Sequence, residues 1–250
     1  MAVFRTIYTI SILSVMSVLA VGCASTGSAS MANVGEKIKP VNAVAYGLHV
    51  NLHASDVPEF VAARFPRSQR INSGPFGANI EKCDGVSGAQ EVVGMRSQRF
   101  QHAGPLPGER RNLIPHESAQ SAVYVMSDSE LAHREVTAAM SSRGRQCAVS
   151  KNVAVKPEGT GTEVPLLNKI NISNVQIRVD GTPIVGVRTA AHETIEASGP
   201  SDASNYYQDL WAFAVGRAVI TLTVVGSPQP FPTAEERRLL SVLYARAGRW

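Results

Sequence analysis

The residues best equipped for chemistry fall late in the chain. Tyr207, Asp209, Trp211 and Phe213 alternate with Gln208, Leu210 and Ala212, so an extended strand places the four on one face. Arg188 and His192 share a face of the strand predicted before it. Aromatic rings around a carboxylate, a guanidinium and an imidazole have the composition of a ligand groove. The same residues also read as structure, with Trp211 and Phe213 in a core and Asp209 paired to an arginine. His192-Glu193 sets a base beside an acid, but adjacent strand residues point to opposite faces. His49 and His53 would align as metal ligands on a helix. The alternation of Leu48, Val50 and Leu52 instead predicts a strand, with both imidazoles on its surface.

Other signatures of catalysis are missing from the sequence. It contains no Gly-x-Ser-x-Gly elbow, P-loop, His-Glu-x-x-His or dinucleotide fingerprint. Gly159-Thr160-Gly161-Thr162 lacks the lysine and the strand-to-helix context of a phosphate cradle. No cofactor and no metal set is expected.

The elements that must position these groups can be read from period and punctuation. After the strand at 48–52, a short helix is expected at 76–82, then strand-like text at 91–101 and an apolar strand at 122–126. Ser127-Asp128-Ser129-Glu130 has capping-box spacing and opens a helix with Ala132, Val136, Ala139 and Met140 on one face. Gly144 is its expected stop. Ile170 and Ile172 then alternate, and the apolar parity switches to Val175, Ile177 and Val179, which suggests a bulge near Ser173-Asn174. Asp180-Gly181 predicts a hairpin turn into a strand over 184–195. Strands over 206–215 and 217–225 follow, joined at Gly216. Pro228, Pro230 and Pro232 end the sheet, and Thr233-Ala234-Glu235-Glu236 is a second capping-box candidate, opening a helix to Ala247. The expected fold is α+β: a largely antiparallel curved sheet with two main helices and one short helix packed on it.

The first residues carry an address. Arg5 precedes an uncharged, mostly apolar run from Ile7 to Val21, and small residues follow, which is the layout of a secretory signal peptide. Thr9, Ser11, Ser14 and Ser17 dilute that run below the uniform apolarity of a membrane span. Leu19-Ala20-Val21-Gly22-Cys23 resembles the bacterial lipoprotein signal, in which a lipid joins the cysteine and a peptidase cuts just before it, here between Gly22 and Cys23. Ala20 stands where leucine is usual. Residues 24–30 are a run of small residues suited to a flexible tether. The other reading is a cut by ordinary signal peptidase after Ala24 or Ala29, which would release the chain. The expected organisation is a signal peptide at 1–22, a lipid-anchored tether at 23–40 and one α+β domain at 41–250. That places the domain on the extracytoplasmic face of the cell membrane, held by an acyl lipid such as palmitate on Cys23.

Composition narrows the partners. Loss of residues 1–22 removes Arg5 and no acid, leaving 23 basic against 20 acidic side chains. That balance, without a dense Lys/Arg cluster, gives no footprint for nucleic acid. With Cys23 assigned to lipid, Cys83 and Cys147 remain, and an oxidising compartment favours their pairing. Such a bridge would be worth about 4 kcal/mol in the chain-entropy model. The alternative is two free thiols, one of them a nucleophile or metal ligand, although neither has a CxxC partner or a histidine at metal-motif spacing.

Several segments resemble uncharacterised lipoproteins of actinobacteria: Asn51-Leu52-His53-Ala54-Ser55-Asp56-Val57-Pro58, Ser142-Arg143-Gly144-Arg145-Gln146-Cys147, residues 212–222 and Pro230-Phe231-Pro232. More distantly, the order of elements is similar to the extracellular sensor domains of mycobacterial serine/threonine kinases and their stand-alone lipoprotein relatives. That resemblance implies an antiparallel sheet with helices, stapled by disulfides and offering a cleft. It also implies a domain that binds a small molecule, a lipid or an envelope partner. This chain departs from it in having only one possible disulfide in the mature domain. An envelope hydrolase with a dispersed site, or a structural role in envelope assembly, are the competing classes.

Overall fold

The computed structural model describes residues 42–63, 69–71, 93–102, 117–144, 146, 165–195 and 204–249. Gly22, Cys23, the helix expected at 76–82, Cys83 and Cys147 lie outside the described residues.

Among the described residues, nine strands form one curved, unclosed antiparallel sheet, and the fold is α+β as expected. They are β1 (Phe60–Ala62), β2 (Gln69–Ile71), β3 (Val93–Arg96), β4 (Phe100–His102), β5 (Glu117–Val125), β6 (Pro165–Val179), β7 (Thr182–Ile195), β8 (Ser204–Val215) and β9 (Ala218–Gly226). Along the sheet the order is β1-β4-β5-β9-β8-β7-β6, with β3 also pairing β5 and β2 pairing β3. The longer helices among the described residues are α1 (Ala43–Val50), α2 (Ser129–Met140) and α3 (Thr233–Ala247).

Alternation sorts the sheet's side chains onto two cores. Val123, Trp211, Phe213, Ile220 and Leu222 face α1 and α3, meeting Tyr46, Val50, Leu239, Leu240 and Leu243. Ala122, Tyr124 and Val219 face the other way, with Ala132 of α2. Hairpins account for the long strands. At Asp180 and Gly181 φ is 47° and 80°, the left-handed pair that matches strand twist in a two-residue turn.

Five expectations need correction. The strand over 48–52 is instead α1 and its exit. The buried set Ala43, Tyr46, Gly47 and Val50 follows helical spacing, and Leu48 is exposed. Leu52 is buried beyond the helix end, so the apparent alternation straddled two conformations. The text over 91–101 is two strands, β3 and β4, broken at Ser97, whose Oγ accepts Ser121 N–H at 3.0 Å.

The cap of α2 is Asp128, whose Oδ1 accepts Leu131 N–H at 2.7 Å, and not Ser127. The helix ends at Met140, with Ser141 as its C-cap, before Gly144. The register shift in β6 lies between Asn168 and Asn171, where Lys169 has φ 50°, and pairing runs unbroken through Ser173-Asn174.

Candidate functional site

The β7–β8 ladder sets the predicted residues in rank. Reading across the two strands, Gly186 pairs with Trp211, Arg188 with Asp209, Ala190 with Tyr207 and His192 with Asn205, and Ile184 lies on the same face of β7 one step further in. Directly opposed residues share a face, so this rank runs along the side of the sheet that α3 covers. Its inner end is core: Ile184 and Trp211 are 1% exposed. Its outer end is open, with Tyr207 and His192 half-buried and Asn205 exposed.

Between these ends the chemistry is ionic. Asp209 is 2% exposed. Arg188 Nε donates to its Oδ1 at 2.8 Å and Oδ2 at 3.1 Å, and Nη2 donates to Oδ2, a forked pairing that fixes both side chains. That bond to Asp209 holds the guanidinium's pKa above its ordinary value, against the opposing effect of burial.

Glu236, on the first turns of α3, completes the cluster, and sequence reasoning missed it. The capping-box spacing of Thr233 and Glu236 predicts a carboxylate that reaches back to cap its own helix. In the structure Pro232 is the N-cap, no side chain caps the helix, and Glu236 is 1% exposed. Its position was legible in another signal, because Glu236 falls at helical spacing with Leu239, Leu240, Leu243 and Ala247 on the buried stripe.

Burial pushes its carboxyl up to about 8, helped by the neighbouring Asp209 and opposed by Arg188 and the indole of Trp211. The site thus favours the protonated, neutral form of Glu236. Glu236 Oε1 and Trp211 Nε1 are buried, and neither completes a hydrogen bond of normal geometry among the described residues.

Gly186 lets the indole lie against the sheet. A Cβ there would stand 2.5 Å from Trp211 Cε3 and 2.8 Å from Cδ2.

The other candidates sit apart. His192 Nδ1 lies 3.5 Å from Asn205 Oδ1 at the open end of the rank. His53 leaves the helix that carries His49, and its Nε2 lies 2.9 Å from Leu48 O, at the end of α1. Among the described residues no group of three or more His, Cys, Asp or Glu could hold a metal ion. No helix among them is long and apolar enough to cross a membrane.

No protein-family model and no curated protein matches the chain. Solved structures do match. The chain is similar to the extracellular domain of PknH from Mycobacterium tuberculosis, with a TM-score of 0.37 and 11% identity over 82% of this chain and 96% of that one.

Proposed function

We propose that the chain is an exported lipoprotein, tethered through Cys23 to the extracytoplasmic face of the cell membrane, whose domain binds a ligand or partner at the outer end of the β7–β8 rank. The observation that carries the binding reading is the gradient along that rank. It passes from buried Trp211 through the Arg188–Asp209 pair to half-buried Tyr207 and His192. An anchored ion pair beside an open aromatic and imidazole offers fixed hydrogen-bonding groups with little ordering cost. The address rests on the sequence alone: Arg5, the uncharged run to Val21, and Gly22-Cys23 before a small-residue tether.

Mass spectrometry of the protein purified natively from membranes tests both parts. The expected result is an N-terminal acylated Cys23, a Cys83–Cys147 bridge and a retained non-covalent ligand. Cys23→Ser should release the chain or leave its precursor uncut, and normal processing with membrane retention would overturn the tether. Tyr207→Ala and His192→Ala should lose the ligand with the unfolding midpoint unchanged. Full retention in both variants would overturn the placement of the site. Asp209 and Trp211 are unsuitable probes, because both are core residues whose loss would disturb folding.

A further inference from the structure

The two ends of the sheet are finished differently. At one end β1 is three residues long, a short edge of the kind that discourages further pairing. At the other end β6 runs for fifteen residues and, among the described residues, pairs only with β7. Its regular stretch is Asn171–Val179, in unbroken register with β7.

That stretch carries few of the devices that blunt an edge. It has no proline, no glycine and no acid, and Arg178 is its one charge. Arg178 Nη1 donates to Gly181 O at 3.3 Å, so the guanidinium is folded back on its own turn.

The hairpin fixes which backbone groups face outward. A two-residue turn makes its flanking pair, Val179 and Thr182, a hydrogen-bonded pair. Counting back in twos, Asn171, Ser173, Val175, Ile177 and Val179 bond toward β7. Ile172, Asn174, Gln176 and Arg178 therefore turn their N–H and C=O groups to the free edge.

These four are symmetric about Val175, which is also the midpoint of the regular stretch. We infer that β6 is a self-complementary edge on which a second copy of this chain pairs antiparallel, with the two-fold axis at Val175. In that register Ile172 opposes Arg178 and Asn174 opposes Gln176, each pair occurring twice and exchanging two bonds, about eight backbone hydrogen bonds in all.

Because opposed residues then have the same parity, each face of one sheet continues onto the same face of the other. Val175, half-buried at the margin of the core, meets its own copy at the close, non-hydrogen-bonded spacing. No like charges are opposed, and the amides of Asn174 and Gln176 face one another. The symmetry of this register favours a second copy over a strand from an unrelated protein.

Sedimentation equilibrium of the purified full chain tests the pairing. A monomer–dimer equilibrium is expected, and a monomer at every concentration would overturn the proposal. Asn174 and Gln176 are exposed, so substitution there leaves the core alone. Asn174→Lys with Gln176→Lys opposes like charges and should raise the dissociation constant at least about tenfold. Asn174→Lys with Gln176→Glu opposes Lys to Glu across the axis and should restore dimers. Dimers indifferent to the double-lysine change, or not rescued by the charge pair, would place the interface elsewhere and sink the register. A β6 edge occupied by another protein or by other residues of the chain would give one of those overturning results.

Discussion

Arg188 Nη2 stands 4.0 Å from Glu236 Oε1, close enough to feel its charge and too far to donate a hydrogen bond, because the guanidinium is already committed to Asp209. Two buried acids thus share one base. If both were ionised the cluster would hold a net negative charge out of water, and Glu236 takes up a proton instead.

The proton makes stability depend on pH. Glu236 is held at about 8 in the fold, against an ordinary value near 4.5. A carboxyl with a raised folded pKa contributes fully below its unfolded value, and its contribution falls as pH rises toward the folded value. Denaturant titrations should show stability declining between about pH 4.5 and about 8, with a slope from this group approaching about 1.4 kcal/mol per pH unit, and levelling above that window. Glu236→Gln keeps the shape without the titration, and should flatten that decline and gain stability relative to wild type at pH 8. An unchanged slope in Glu236→Gln would show that the proton sits elsewhere.

Removing the base should cost more than removing the titrating acid. Arg188→Met leaves Asp209 buried without its forked partner, and about 3–5 kcal/mol is the expected loss for a broken buried pair. Arg188→Lys keeps the charge but cannot make two parallel bonds to one carboxylate, so an intermediate loss is expected. Asp209→Asn with Arg188→Met removes both charges and should recover part of the stability lost in the single variant. Urea midpoints of the three variants check the order.

The indole at the next rung supplies an independent test. Trp211 is 1% exposed and lies over Gly186, where an added Cβ would run into the indole. Gly186→Ala should therefore destabilise by about 1–3 kcal/mol through overpacking, even though alanine suits a strand better than glycine. A change in tryptophan emission should accompany it. A neutral or stabilising result would mean the indole can slide.

Much of this arrangement was legible in local signals, and the failures have physical causes. Asp180-Gly181 and Gly216 marked their turns because only a few residues tolerate positive φ, and the structure has it at all three. The face carrying Tyr207, Asp209, Trp211 and Phe213 followed from period two alone.

The parity switch in β6 was real, but its cause was not a bulge. Val175, Ile177 and Val179 face α3, while Ile172, half-buried, faces the other side of an unbroken ladder. Which side of a strand is covered depends on where a distant helix ends, and a local window does not contain that information. Glu236 was misread for a related reason. A carboxylate in a first helical turn has a local role to hand, and only Asp209 and Arg188, over twenty residues earlier, supply the other one.

A second ionic contact on α3 should respond to pH with the opposite sign. Arg246 donates to both oxygens of Asp56, Nη1 to Oδ2 at 2.8 Å and Nη2 to Oδ1 at 2.7 Å, and Nη1 also donates to Asn51 O at 3.0 Å. These bonds fasten the segment after α1 to the far end of α3. Burial alone would raise the Asp56 carboxyl. The Arg246 bonds, the His53 N–H at 2.7 Å and the charges of Arg246 and His53 outweigh it, and the group is held below the usual carboxylate range.

A lowered folded value contributes stability above the unfolded value, and that contribution disappears as pH falls through the folded one. Arg246→Met should therefore cost about 2–3 kcal/mol at neutral pH, less than a fully enclosed pair because the guanidinium is partly exposed, and should soften the acid limb of the stability curve. It should leave the decline between about pH 4.5 and 8 intact, since that belongs to Glu236. The two positions are ten residues apart on one helix, about 15 Å, far enough for their effects to add. Glu236→Gln with Arg246→Met should then show both altered limbs at once. Strong non-additivity would mean that α3 docks on the sheet as a single cooperative lever, with neither end acting alone.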